Sequence, residues 1–96
     1  MSSPPLKIDG AIVLEWAWSG NKPFGVVKYQ NGEVASEIFG LAICAYPDSD
    51  QVYIFSCDCD WETEQDSQYN SIQNAKDYLP EQYRHVKANW KLSTDI

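Results

Sequence analysis

The chain has 96 residues, 44% of them hydrophobic and 14% aromatic, which indicates one small folded domain and argues against disorder. Its 14 acids against 7 Lys and Arg give a formal net charge of -7, which argues against direct binding to nucleic acid or to an anionic membrane. No apolar run approaches the ~20 residues of a membrane span, and the N-terminus lacks the basic start and apolar stretch of a signal peptide. We therefore expect a cytoplasmic, single-domain protein spanning 1–96, with a flexible lead-in at 1–8 and frayed residues at 93–96.

The first half of the chain is patterned as strands. Large apolar side chains at every second position over 11–18 predict a first strand, and 24–29 predicts a second. Asn31-Gly32 follows and supplies the two positive-φ positions of a type I′ hairpin. Residues 33–46 predict a third strand, long enough that Gly40 marks a bulge or bend within it.

The second half adds one helix between strands. Val52–Cys57 predicts a fourth strand that leads into the acidic segment. Apolar residues at helical spacing over 71–79 predict a helix, with Asn70 as its N-cap and Pro80 at its end. The last segment predicts a half-buried terminal strand, because its apolar residues alternate with polar ones: Val86, Ala88, Trp90 and Leu92.

This order of elements predicts an α+β fold. Short connections favour antiparallel neighbours, and a single helix must bury its apolar stripe against the sheet. We expect a twisted antiparallel β-sheet of five to six hairpin-connected strands, with one C-terminal helix packed on a face and a last strand after it.

The most unusual feature is a run of alternating acids after the fourth strand. If the run is extended, its side chains alternate between two faces, so five acids line one side at intervals of roughly 6.6 Å. The opposite side carries Cys57, Cys59, Trp61 and Thr63, which we expect to face the core. Seven acids and no base lie between Asp48 and Asp66, so the whole net charge comes from one stretch. The alternating acids are Asp58, Asp60, Glu62, Glu64 and Asp66.

Neither a metal site nor a catalytic site is predicted. The acidic run resembles the start of a calcium-binding loop, but Thr63 stands where the loop needs Gly and Tyr69 stands where it needs Glu. Weak divalent binding by neighbouring carboxylates stays open. Only one residue separates Cys57 from Cys59, too few for a zinc pair, and an odd number of cysteines is not a disulfide framework. With no nucleophile or phosphate-loop motif, we expect no enzyme, no catalytic residue, no metal and no cofactor.

The aromatic residues suggest a contact surface beside the acids. Four Trp and six Tyr exceed what a core of this size hides, and both residue types are favoured anchors at interfaces. The predicted binding residues are therefore the five alternating acids together with two aromatics: Asp58, Asp60, Glu62, Glu64, Asp66, Trp61 and Tyr69.

Part of the chain resembles a group of small uncharacterised bacterial proteins. In that group a strand carrying F-x-C-D-x-x-W-E leads through D-x-x-Y-x-S-I-x-x-A-K into a helix, and the likeness covers about a quarter of this chain. The resemblance implies a strand followed by a helix, and a bacterial protein, but no activity. The matching residues are Phe55, Cys57, Asp58, Trp61, Glu62, Asp66, Tyr69, Ser71, Ile72, Ala75 and Lys76.

The leading hypothesis is a non-enzymatic interaction module of the inhibitor or immunity type, which presents an acidic, aromatic-flanked strand to a basic partner protein. A nucleic-acid-binding protein is one such partner, in which case the carboxylates mimic DNA phosphates. A second alternative is a small ligand-binding or enzymatic domain, which requires a cavity holding His85 or several carboxylates. The third is a purely structural homo-oligomer, such as a homodimer joined through strand edges.

Overall fold

A computed structural model describes residues 3–85 and 87–93. Within these residues, six strands form one sheet in the order β1-β2-β5-β6-β7, with β8 pairing with β2 as well, and β3 and β4 form a second sheet. Every strand pair is antiparallel, so the predicted α+β fold is confirmed. The elements are β1 (Lys7–Ile8), β2 (Ala11–Trp18), β3 (Gly25–Lys28), β4 (Val34–Ile38), β5 (Gly40–Ala45), β6 (Val52–Cys57), β7 (Thr63–Tyr69), α1 (Ile72–Asp77), a 3₁₀ turn (Glu81–Tyr83) and β8 (Lys91–Leu92).

The main sheet is buried on both faces. On one face, Ile43 and Ile54 pack with Ala75 of α1 and with Tyr83 of the 3₁₀ turn. The other face holds an aromatic cluster of buried side chains that includes Trp16, Phe55 and Trp61. We call these the helix face and the aromatic face. Strand alternation explains the division, because consecutive residues of β5 and β6 belong to opposite clusters.

A bulge in β2 positions an ion pair between sheet and helix. The pairing of β2 with β5 shifts register between Val13 and Glu15. Glu15 then meets Lys76 of α1, with 2.8 Å between Lys76 Nζ and Glu15 Oε1. Both side chains are half-buried, so the pair is shielded in part from water and fixes the helix to its strand.

Two turns differ from the sequence prediction. Asp9-Gly10 connects β1 to β2 with φ values of 50° and 84°, as a two-residue type I′ hairpin requires. Lys7–Ile8 thus forms a strand paired with β2, so the flexible lead-in predicted at 1–8 does not include these two residues. Of Asn31-Gly32, only Gly32 has positive φ, and its N–H donates to the Tyr29 carbonyl in a four-residue turn. The predicted type I′ turn is therefore wrong at this position.

The long third strand predicted over 33–46 divides in two at Phe39. β4 ends at Ile38 and pairs with β3, whereas β5 starts at Gly40 and pairs with β2 and β6. The chain therefore changes from one sheet to the other next to Gly40, where the sequence predicted a bulge or bend.

The C-terminal elements are shorter than predicted. Helix α1 has Ser71 as its N-cap in place of Asn70, and the Ser71 hydroxyl accepts a hydrogen bond from the Asn74 N–H at 3.0 Å. The predicted terminal strand contains only Lys91–Leu92, and Leu92 is 53% exposed. Val86 and residues 94–96 lie outside the described residues. In the described part of the chain, no helix has the length and apolar character that crossing a membrane requires.

Candidate acidic binding surface

The acidic segment is a hairpin, not the straight strand that its alternation predicted. β6 ends at Cys57, β7 begins at Thr63, and the residues between them form a tight turn. The turn forms because Asp58 Oδ1 accepts the N–H of Asp60 at 2.8 Å and that of Glu62 at 2.9 Å. A carboxylate that binds backbone N–H groups two and four residues ahead stabilises a turn in competition with a strand.

The turn inserts Trp61 into the aromatic face. Trp61 has a φ of 62°, which is uncommon for a bulky residue, and its side chain is only 6% exposed. Its ring meets Trp16 edge-on at 6.1 Å and Trp18 at 5.6 Å between ring centroids. The space for the ring comes from Gly40, where a β-carbon would lie 2.5 Å from Trp61 Cζ3. Burial of the indole is therefore what stabilises the unusual backbone at this position.

We predict that Asp58→Ala destabilises the protein by about 1–2 kcal/mol, because two backbone N–H groups lose their shared acceptor. Asp58→Asn keeps an acceptor oxygen at the same position and is the matched control. Its loss of stability should be less than about half of that of the alanine variant. Urea unfolding followed by circular dichroism measures both. Equal stability of the alanine variant and the wild type would contradict the role assigned to Asp58.

The five alternating acids are divided between the turn and the strand. Asp58 is half-buried in the turn, while Asp60 and Glu62 are exposed there. Glu64 and Asp66 are exposed on β7, where they alternate with half-buried residues. The structure thus places two of the five on β7, where Glu64 lies at a register shift with β6, and it leaves four of the five exposed to water.

Strand register places Tyr53 diagonally across from Asp66, and Tyr46 packs against Tyr53. Asp66 is opposite Phe55 and Gln68 is opposite Tyr53, so these side chains share the aromatic face of the sheet. Tyr53 is half-buried and lies edge-on to Tyr46, with 5.4 Å between the ring centroids. We call Glu64, Asp66, Tyr46 and Tyr53 the acidic surface. Sequence reasoning missed both tyrosines, although cross-strand pairing of β6 with β7 would have found Tyr53.

The two aromatic residues predicted to bind a partner make contacts within the fold. Trp61 is buried as described above. The Tyr69 hydroxyl donates a 2.6 Å hydrogen bond to the Tyr78 carbonyl, which ties the end of β7 to the end of α1. Burial raises the pKa of Tyr69, so its hydroxyl stays protonated as this donor requires. Tyr78 itself is an exposed aromatic close to β7.

The cysteines occupy two kinds of environment. Cys44 and Cys57 are buried on the aromatic face, and burial raises the pKa of each thiol from 9.0 to about 12, so neither is a nucleophile near neutral pH. Cys59 lies exposed in the turn, which corrects the prediction that it faces the core with Cys57 and Trp61.

The structure separates the residues that a metal or catalytic site would need. Among the described residues, no three His, Cys, Asp or Glu side chains are grouped in a way that suits a metal ion. His85 is exposed after the 3₁₀ turn and does not lie on the last strand. A cleft of about 440 Å³ exists elsewhere, and neither His85 nor an acid lines it; its lining residues are Trp18, Gly20, Asn21, Asn89 and Lys91.

Comparison of the chain with protein-family models, with curated proteins and with solved structures finds no match. No activity, ligand or partner is therefore transferred from another protein. What the chain does has to be inferred from its own charges, packing and exposed side chains.

Proposed function

We propose that the protein is a small acidic interaction module, of the inhibitor or immunity type and of the bacterial cytoplasm, whose acidic surface binds a basic partner protein. The observation that carries this proposal is a set of exposed carboxylates, Glu64 and Asp66, on a strand at the edge of the sheet. Charge of one sign on one surface speeds the encounter with an oppositely charged partner.

The local electrostatics favour this function. The ion pair of Glu15 with Lys76 is the only one among residues 3–85 and 87–93, and it lies on the helix face. None of the seven acids between Asp48 and Asp66 is therefore neutralised by an ion pair with a described base. Unpaired like charges repel one another, which costs some stability and is relieved when a cationic surface binds.

Tyr46 and Tyr53 supply aromatic contact area, which charged side chains alone do not provide. Both are half-buried on the same face as Asp66, so each has part of its ring available to a partner. Tyrosine contributes a large and rigid contact area at an interface, while rim charges mainly set the rate and the salt dependence of binding. This combination supports a protein partner over a small cation.

The test compares two triple variants that remove the same charge. Glu62→Gln/Glu64→Gln/Asp66→Asn neutralises the acidic segment, and the control Glu33→Gln/Glu37→Gln/Glu81→Gln neutralises three exposed acids elsewhere. Partners captured by the wild-type chain are identified and their affinities measured from low to high salt. We expect the first variant to bind about tenfold more weakly and with a flatter salt dependence, and the control to bind like the wild type.

Two outcomes would contradict a role of the acidic surface in partner binding. Equal losses in both triple variants would mean that net charge matters and the acidic surface does not. If the first variant keeps its partner but aggregates, the acids serve to prevent edge-to-edge association of β7. Competition between DNA and the wild-type chain for the captured partner would identify the DNA-mimic form of the proposal.

A further inference from the structure

We propose that the basic partner binds by adding an extended strand to the outer edge of β7, with Lys or Arg at every second position of that strand. This inference rests on the proposed function and specifies how the partner is held. Strand addition at a sheet edge is a general mode of peptide recognition, in which main-chain hydrogen bonds supply affinity and alternate side chains supply specificity.

β7 is the long edge strand of the main sheet. It has seven residues, and among residues 3–85 and 87–93 it pairs with β6 alone. At the opposite edge, β1 and β8 have only two residues each. Short edge strands offer little backbone to another chain, whereas a long one is a template for pairing. β7 is therefore the edge at which a partner strand has most to bind.

Roughly half of the backbone groups of β7 point away from the sheet. In an antiparallel pair, alternate residues direct their N–H and C=O groups away from the neighbouring strand. Within the described part of the chain, no backbone hydrogen bond joins 63–69 to an element other than β6. Glu64 is the extra residue at the register shift, so the regular part of the edge is 65–69. An extended peptide of about five residues can complete a ladder along it.

Side-chain contacts hold β7 in place at both ends of this regular part. Gln65 Oε1 accepts a hydrogen bond from Gln82 Nε2 of the 3₁₀ turn at 2.8 Å, and the Tyr69 hydroxyl donates to the Tyr78 carbonyl at the end of α1. Both contacts tie the strand to elements that pack on the helix face. Because the edge is already fixed, little conformational entropy is lost when a partner strand pairs with it.

The charge of β7 determines which strand it accepts. Asp66 lies in the middle of 65–69, Glu64 precedes it, and β7 contains no Lys or Arg. Side chains opposite each other on neighbouring strands attract when their charges differ and repel when they are alike. A second copy of β7 would bring only further acids, so charge argues against a homodimer through this edge. A strand with alternating cations directs them to the side of Asp66 and its other residues to the side of Gln65.

The test uses a peptide of alternating Lys and Thr that is as long as β7, together with two N-methylated isomers. One isomer is methylated on the backbone nitrogens of Lys and the other on those of Thr. Their charges are equal, but only one of them loses the N–H groups that face β7. We expect that isomer to bind about tenfold more weakly than the other. The parent peptide should also protect from hydrogen exchange the β7 amides that do not bond to β6. Equal affinities of the two isomers would overturn the proposal.

The outcomes distinguish strand addition from the proposed function. If the isomers bind equally while Glu62→Gln/Glu64→Gln/Asp66→Asn still abolishes binding of the parent peptide, the acidic surface binds cations without strand addition. The proposed function then stands and the strand-addition proposal fails. If the parent peptide does not bind the wild-type chain even at low salt, both proposals are contradicted.

A charge swap tests the pairing from the side of the protein. Glu64→Lys/Asp66→Lys should lose the Lys/Thr peptide and bind a peptide of alternating Glu and Thr instead. The matched control Glu33→Lys/Glu37→Lys makes the same charge change at exposed acids elsewhere and should keep the preference of the wild type. Circular dichroism verifies that both double variants are folded. The same peptide preference in both would contradict pairing at β7.

Discussion

Trp61→Ala is expected to destabilise the protein by about 3–5 kcal/mol, the range found when a buried large aromatic side chain is truncated. The ring of Trp61 closes the aromatic face by contact with Trp16 and Trp18, whereas α1 packs on the opposite face. Its removal opens a cavity and also takes away the burial that stabilises the positive φ of residue 61. The effect should therefore exceed that of a typical surface mutation severalfold.

Urea unfolding measures this loss, with Tyr29→Ala as the control. Tyr29 is an aromatic residue that is 61% exposed, so its truncation should cost less than about 1 kcal/mol. A Trp61→Ala variant as stable as the Tyr29→Ala variant would show that the indole is not buried in solution. The turn geometry described for Asp58 would then be wrong as well.

Gly40→Ala is expected to destabilise by about 1–3 kcal/mol, because the new β-carbon would lie 2.5 Å from the ring of Trp61. The ring cannot move away at low cost, since Trp16 and Trp18 pack against it. The backbone is not the cause of the loss, because Gly40 does not have the positive φ found at Gly32.

A double-mutant cycle isolates that clash. In a Trp61→Ala background the obstructing ring is gone, so Gly40→Ala should be neutral or stabilise by about 0.4–1 kcal/mol through lower entropy of the unfolded chain. Gly40→Ala is thus predicted to destabilise the protein when residue 61 is Trp and to be neutral or stabilising when residue 61 is Ala. An equal loss in both backgrounds would mean that the ring of Trp61 does not lie on Gly40.

Much of the sheet was predictable because its signals are local. The fourth strand was predicted over its observed extent, Val52–Cys57, from a continuous run of strand-forming residues. An irregularity at Gly40 was also predicted, but as a bulge or bend within one strand and not as a change of sheet. The Asp9-Gly10 turn carried an equally local signal, and it was missed because the segment before it was assigned to a flexible lead-in.

The acidic segment was mispredicted for a physical reason. Alternation of acids with Cys57, Cys59 and Trp61 is the pattern of a strand, but a hairpin turn can show the same pattern over five residues. What decides between them is the Asp58 carboxylate, which binds the N–H groups of Asp60 and Glu62. Periodicity contains no information about such a contact, nor about the space above Gly40 that receives the indole.

The candidate surface was predictable only in part. Exposure of Glu64 and Asp66 follows from the polar character of β7, whereas their neighbours depend on which strand lies beside them. Tyr53 lies on β6 and Tyr46 follows β5, so their place on the same face as Asp66 required the tertiary register. Tyr69 was assigned to binding as an aromatic residue near the acids, and its hydrogen bond to the carbonyl of Tyr78 could not be inferred from sequence.

The most direct test of the acidic surface is a titration of the isotope-labelled chain with an oligolysine peptide, which represents a basic protein surface. The account predicts that the largest amide shifts map to Glu64, Asp66 and Tyr53, that they diminish as salt rises, and that they are lost in Glu62→Gln/Glu64→Gln/Asp66→Asn. Shifts centred on Glu33, Glu37 or Glu81, or spread evenly over all exposed acids, would contradict it.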